Sequence, residues 1–103
     1  VVRVNGPLDP EDGPAVRRLA HNLNVTLRGV DGPTFHALAR ERVCVSAASA
    51  CKALGGTRSH VLEAMGVPDD GAVMRVGMGS ITTEADVLEA VRCLVWCARQ
   101  AAR

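Results

Sequence analysis

One cysteine of this sequence stands in company that suits a reactive thiol. The run Ser46-Ala47-Ala48-Ser49-Ala50-Cys51-Lys52 leads into Gly55-Gly56. No bulky side chain obstructs the approach to Cys51, and a loop of such residues can carry its thiol to the surface. Lys52, the only lysine in the chain, is its immediate neighbour. An ammonium beside a thiol favours the thiolate, the form that attacks and binds. The plainer reading is a small residue in a loop, and the residues alone leave both open. The other cysteines ask for less. Cys93 and Cys97 are four apart on one helical face with no further ligands suggested, and read as packed small residues. Cys44 reads as core. No pair has Cys-x-x-Cys spacing, and the chain does not open like a secretory signal, so a reduced, cytoplasmic protein is expected. Gly77 and Gly79 read as strand-end turns, since they lack the order of a phosphate-cradling loop.

The elements that must carry this loop are legible in outline. Residues 1–20 are broken by Gly6-Pro7, Pro10 and Gly13-Pro14, and read as an irregular lead-in. Asn22 to Leu27 alternates polar and apolar, which predicts a half-buried strand. Asp31-Gly32-Pro33-Thr34 opens a helix expected to end near Arg42, with Phe35, Leu38 and Ala39 inward. Val43-Cys44-Val45 predicts a short buried strand. Ser59 should cap a short helix that Gly66 ends, with Val61, Leu62 and Met65 as its apolar face. Val73 to Val76 predicts another strand. The last helix should start at Thr82 or Thr83 and run to about Ala101, with Val87, Val91, Leu94, Val95 and Ala98 inward. Strands alternating with helices give an α/β or α+β class: about three short strands covered by three helices.

Composition narrows the function. The chain has 103 residues, enough for one domain with a modest core. Aromatics are only Phe35 and Trp96, so that core is built from Val, Leu, Ala and Met. Twelve basic residues against eleven acidic give a net charge of +1, which argues against direct nucleic-acid binding. No apolar run is long enough to span a membrane. His36 reads as the outer side of its helix, His60 as an exposed first-turn residue, and Trp96 as core or domain interface. Arg40 and Arg42 read as a solvated helix end. His21 precedes the first predicted strand, where an approach to an active site stays open.

Taken in order, the motifs carry a family resemblance. Asn22-Leu23-Asn24, Gly29-Val30-Asp31-Gly32, Val43-Cys44-Val45-Ser46 with Ser49-Ala50-Cys51, Ser59-His60-Val61-Leu62, Ala64-Met65-Gly66, Arg75, Gly79 and Thr82-Thr83-Glu84 follow one another at family spacing. Residues from about 20 to 95 resemble the C-terminal small domain of a NifS-like cysteine desulfurase, a pyridoxal-phosphate enzyme of the class V aminotransferase group and fold type I. The resemblance implies residues 21–103 as that domain, with the catalytic-cysteine loop at about 46–58. It implies Cys51 as the nucleophile that takes sulfur from L-cysteine as a persulfide, releasing L-alanine. It implies Arg75 as the grip on the substrate carboxylate, chemistry that suits a planar guanidinium. Asn24 matches a family position near the substrate.

The same resemblance implies partners. Pyridoxal phosphate would be bound by a large domain upstream, because the Schiff-base lysine, the stacking histidine and the pairing aspartate belong there, and Lys52 sits on the wrong loop to replace the first. The implied partners are that large domain, L-cysteine and a sulfur-acceptor protein, in a homodimeric, cytoplasmic enzyme, with iron–sulfur, tRNA-thiolation and DNA-phosphorothioation routes all open. The isolated domain would be inactive, and the missing initial Met together with the broken opening leads us to expect a piece of a larger protein. Ala48 stands where the family usually has Gly, Gly77 where it usually has Ser, and Ser80 where Arg is frequent. Two further functions stay open: a non-catalytic sulfur-carrier or interaction module, and a selenocysteine lyase.

Overall fold

The computed structural model describes residues 1–7, 18–47 and 58–103. These form three strands and three helices: β1 (Val2–Val4), β2 (Asn22–Arg28), α1 (Gly32–Ala39), α2 (His60–Ala64), β3 (Gly71–Gly77) and α3 (Glu84–Gln100). The strands make one antiparallel sheet in the order β1-β2-β3, an α+β domain as expected.

Local chemistry explains the helix boundaries. The Asp31 carboxylate caps α1 by accepting from the Thr34 amide at 3.0 Å and the Thr34 hydroxyl at 2.6 Å, with Pro33 in the first turn. These bonds, the hydroxyl's first, hold the Asp31 carboxyl below its ordinary range. Ser59 caps α2, and Gly66 ends it at φ +69°, a conformation a side chain resists. Thr83 and Asp86 cap α3 reciprocally, each side chain accepting from the other's amide at 3.1 and 2.9 Å. Helix α1 stops at Ala39, three residues short of the expected Arg42, where the Ala39 carbonyl accepts from both Arg42 and Val43 amides in a closing turn.

Strand alternation sorts the sheet into two faces. Leu23, Val25 and Leu27 share one with their cross-strand partners Val76, Met74 and Ala72. Against it pack Phe35 and Ala39 of α1 and Leu94, Cys97 and Ala101 at the end of the chain. Gly71 is needed at its place because a Cβ there would fall on the Leu27 carbonyl oxygen of the neighbouring strand.

Several expectations fail here. Residues 1–20 are not irregular throughout, since Val2–Val4 is the sheet's third strand, paired with Val25–Leu27. Residues 43–45 are not a strand: the outer edge of β3 bonds this segment only at Ser46, too little for a ladder. Cys44 accordingly lies exposed between half-buried Val43 and Val45, and is not core. On α3, Leu94 and Cys97 are buried, but Val87, Val91 and Val95 are 37%, 50% and 43% exposed. Helix and sheet stand apart there along an apolar groove of about 450 Å³, which leaves Val91 and Val95 as its walls.

Candidate functional site

Arg75 and Asn24 are 51 residues apart in sequence and directly opposite in the sheet. Cross-strand partners point to the same face, so the two side chains stand side by side. The row continues in both directions. On the β1 side, the Asn5 amide donates to the Asn24 carbonyl at 2.8 Å. On the other, Arg75 donates to the Ser46 carbonyl at 2.7 Å and Ser46 donates back at 3.1 Å. Asn5, Asn24, Arg75 and Ser46 thus form one lateral line of polar residues across the sheet, on the face opposite the apolar core.

The Asn24 side chain is held from behind. Asn5 is only 6% exposed and its Nδ2 donates to Asn24 Oδ1 at 2.7 Å and to Thr26 Oγ1 at 2.9 Å. The fully buried Thr26 hydroxyl returns a bond to Asn5 Oδ1 at 3.3 Å. The Asn24 amide has Nδ2 donors to offer beside the exposed guanidinium of Arg75. Two neighbouring donor groups, one of them charged, suit a negatively charged ligand. Removing Asn5 strands the Asn24 oxygen and the Thr26 hydroxyl, so Asn5→Ala should cost about 1–3 kcal/mol. A urea melt checks this, and an unchanged midpoint would mean that the network does not hold Asn24 in place.

Arg75 also lines an open pocket of about 550 Å³ with Arg40, Cys44 and Ser46. Cys51 and Lys52 lie outside the described residues, so what the structure brings together is Arg75 and Asn24. His21 is exposed, with its backbone carbonyl accepting from the Met78 amide. Its ring has no partner among the described residues. His36 is half-buried, its Nε2 2.8 Å from the Val73 carbonyl, and not on an outer side. The Arg42 guanidinium stacks 4.3 Å over the half-exposed Trp96 ring instead of standing free. Burial pushes the Cys97 thiol up and keeps it neutral. Among the described residues no three His, Cys, Asp or Glu side chains gather as metal ligands, and no helix is long and apolar enough to cross a membrane. Asn5 escaped the sequence reading. Its one signal was the alternation Val2-Arg3-Val4-Asn5 before Gly6, which is only as long as the strand itself.

Fold and row define a small α+β domain whose sheet carries a guanidinium and an amide side by side on one face. Comparison with known proteins agrees with the resemblance seen in its motifs. No family profile matches the chain. It is 38% identical over 86 residues to the cysteine desulfurase IscS of Anaeromyxobacter sp. strain Fw109-5, an alignment covering 82% of this chain and 21% of that protein. It is 35% identical over 95 residues to the IscS of Vibrio cholerae, covering 90% and 22%, and 34% identical over 85 residues to that of Dechloromonas aromatica, covering 81% and 21%. The chain belongs with the cysteine desulfurases, and spans about a fifth of the length of the relatives it matches.

Proposed function

We propose that this chain is the small domain of a cysteine desulfurase and supplies its sulfur-carrying thiol. Cys51 Sγ bonds to the sulfur of L-cysteine while that sulfur's bond to Cβ breaks. The released carbon takes a proton and leaves as L-alanine, and Cys51 is left as a persulfide for delivery to an acceptor protein. Arg75 holds the substrate carboxylate with two parallel bonds, and Asn24 adds a donor beside it. Pyridoxal phosphate, the group that accepts electrons in such enzymes, does not fit here: no described residue is a lysine. It belongs to a large domain that completes the site in a cytoplasmic homodimer, and the chemistry assigned to this chain is confined to its own residues.

The observation that supports the reading most directly is the alignment of Asn24, Arg75 and Ser46 in one row. Cys51 follows Ser46 by five residues. That length of chain reaches at most about 18 Å, so the thiol is tethered within range of whatever Arg75 holds.

Mass spectrometry of this chain together with a desulfurase large domain, pyridoxal phosphate and L-cysteine tests the proposal. A gain of one sulfur atom on Cys51 is expected. Gain on Cys44, Cys93 or Cys97 instead would move the site. Gain on Cys51 from another persulfide donor, with none from cysteine, would make the chain a sulfur carrier and not part of a desulfurase. Faster turnover of selenocysteine would make it a lyase for that amino acid.

A further inference from the structure

The bond between the side chains of Asn5 and Asn24 can be made in two ways. Asn5 Nδ2 can donate to Asn24 Oδ1, or Asn24 Nδ2 can donate to Asn5 Oδ1, because each amide carries one acceptor atom and one donor atom. The choice decides what Asn24 has left for its neighbour on the other side, Arg75. In the first arrangement the Asn24 oxygen turns to Asn5 and its NH2 group remains for a ligand. In the second the oxygen remains. A carboxylate held by Arg75 meets a donor in the first case and a lone pair in the second.

Arg3 makes the choice. Its Nε lies 3.4 Å from Asn5 Oδ1, two residues along the chain. A guanidinium has donors only, so the Asn5 atom that faces it must be the oxygen. The Thr26 hydroxyl does not discriminate, since it accepts from Asn5 Nδ2 at 2.9 Å and donates to Asn5 Oδ1 at 3.3 Å. Arg3 is itself held from beyond: its Nη2 donates to the Pro68 carbonyl at 3.5 Å and stands 3.6 Å from Asp70 Oδ1. A reversed Asn5 amide would set its NH2 against the Arg3 donor, and burial leaves water little room to answer either group.

We infer that Asn5 is a positioning residue for substrate binding: it orients the Asn24 amide so that the NH2 group, and not the oxygen, is left beside Arg75. The inference rests on the reading of Arg75 and Asn24 as the carboxylate site. Orientation passes along a relay. Asp70 and the Pro68 carbonyl hold Arg3, Arg3 sets Asn5, and Asn5 sets Asn24. Asn5 acts on the substrate only through Asn24, so its effect belongs to affinity and not to the chemical step.

Asn5→Asp tests it. The change keeps the shape and the acceptor that faces Arg3, and turns the donor that faces Asn24 into an oxygen. Asn24 can then bond only by turning its NH2 group toward residue 5. In the enzyme completed by a desulfurase large domain, KM for L-cysteine is expected to rise about tenfold with kcat near the parent value. In the chain itself, the side-chain NH2 resonances of Asn24 should move downfield, the mark of a bond to a carboxylate. A raised KM with those resonances unmoved would mean that the added charge acts at a distance, and overturns the relay. An unchanged KM overturns the role of Asn5. If Arg75→Gln still raises KM, the carboxylate site stands without Asn5; if it does not, the site falls too. Arg3→Leu decides the matter if the aspartate variant does not fold, because Arg3 is only partly buried. Without Arg3 the two orientations come near balance, so the Asn24 NH2 resonances should move toward their average. KM should rise about twofold, as half the molecules are competent. Unmoved resonances and an unchanged KM in this variant overturn the inference.

Discussion

Phe35→Ala is expected to cost about 3–5 kcal/mol of folding stability, the largest loss from any single truncation in this domain. Phe35 is the sole phenylalanine, is wholly buried, and is the largest fully buried side chain among the described residues. A core otherwise made of Val, Leu, Ala and Met has no second large ring to move into the space, so most of the void would persist. Dispersion contacts are lost on every side of it at once. The ring also meets His36 edge-on, 5.1 Å between centroids at 82°, and His36 anchors α1 to β3 through the Val73 carbonyl. Domains of this size hold only about 5–15 kcal/mol in total. The melting temperature should fall by roughly 12 °C or more. Phe35→Leu, which keeps most of the volume, should lose much less. Chemical denaturation followed by circular dichroism measures both. A loss under about 1 kcal/mol for the alanine variant would show that α1 is not anchored through this ring. The consequence for the site is direct, because Arg40, the residue that caps α1, lines the pocket beside Arg75: a loosened helix would displace that wall.

What the sequence disclosed and what it hid divide by the range of the interactions. The caps at Asp31, Ser59 and Thr83 and the stop at Gly66 were legible because each is settled within four residues of itself. Strand β2 was legible from the alternation of Asn22 to Leu27, and the middle of β3 from the run Val73 to Val76 closed by Gly77. Val2–Val4 was not. Three residues carry almost no periodicity, and β1 exists because β2 offers it an edge. The same argument in reverse misled at Val43-Cys44-Val45. Its composition is strand-like, but the edge of β3 accepts it at Ser46 alone. On α3 the apolar stripe was real and its burial was not, since a helix pattern says which side is apolar and not how closely the sheet approaches it. Within the site, Arg75 and Asn24 came from motif resemblance. Their shared row, the Asn5 brace and the company of Arg40 came only from register and packing. Cys51 lies outside the described residues and stays a reading of its sequence neighbours and of the family motif.

Replacing Arg75 with glutamine in the completed enzyme is expected to reduce kcat/KM for L-cysteine by roughly 10–150-fold, which corresponds to about 1.5–3 kcal/mol for hydrogen bonds to a charged group. The loss should fall mainly on KM. On the proposed reading, Arg75 grips a carboxylate that the reaction leaves unchanged, so its bonds serve ground state and transition state alike. Glutamine keeps the length of a polar side chain and one amide donor, but not the charge or the two parallel bonds. Lysine restores the charge without the fork, and should recover only part of the affinity. Folding should be untouched, because the Arg75 side chain is exposed and its ladder bonds to Ser46 come from the backbone. Cys51→Ser has the opposite signature. It should leave cysteine binding near the parent value and abolish persulfide formation, since an alcohol cannot take over the sulfur that a thiolate attacks. Measuring KM and protein-bound sulfur for both variants separates grip from acceptor. An Arg75→Gln enzyme with unaltered KM would remove the carboxylate from this row of the sheet, and the case for Asn24 would go with it, because the two donors are partners in one register.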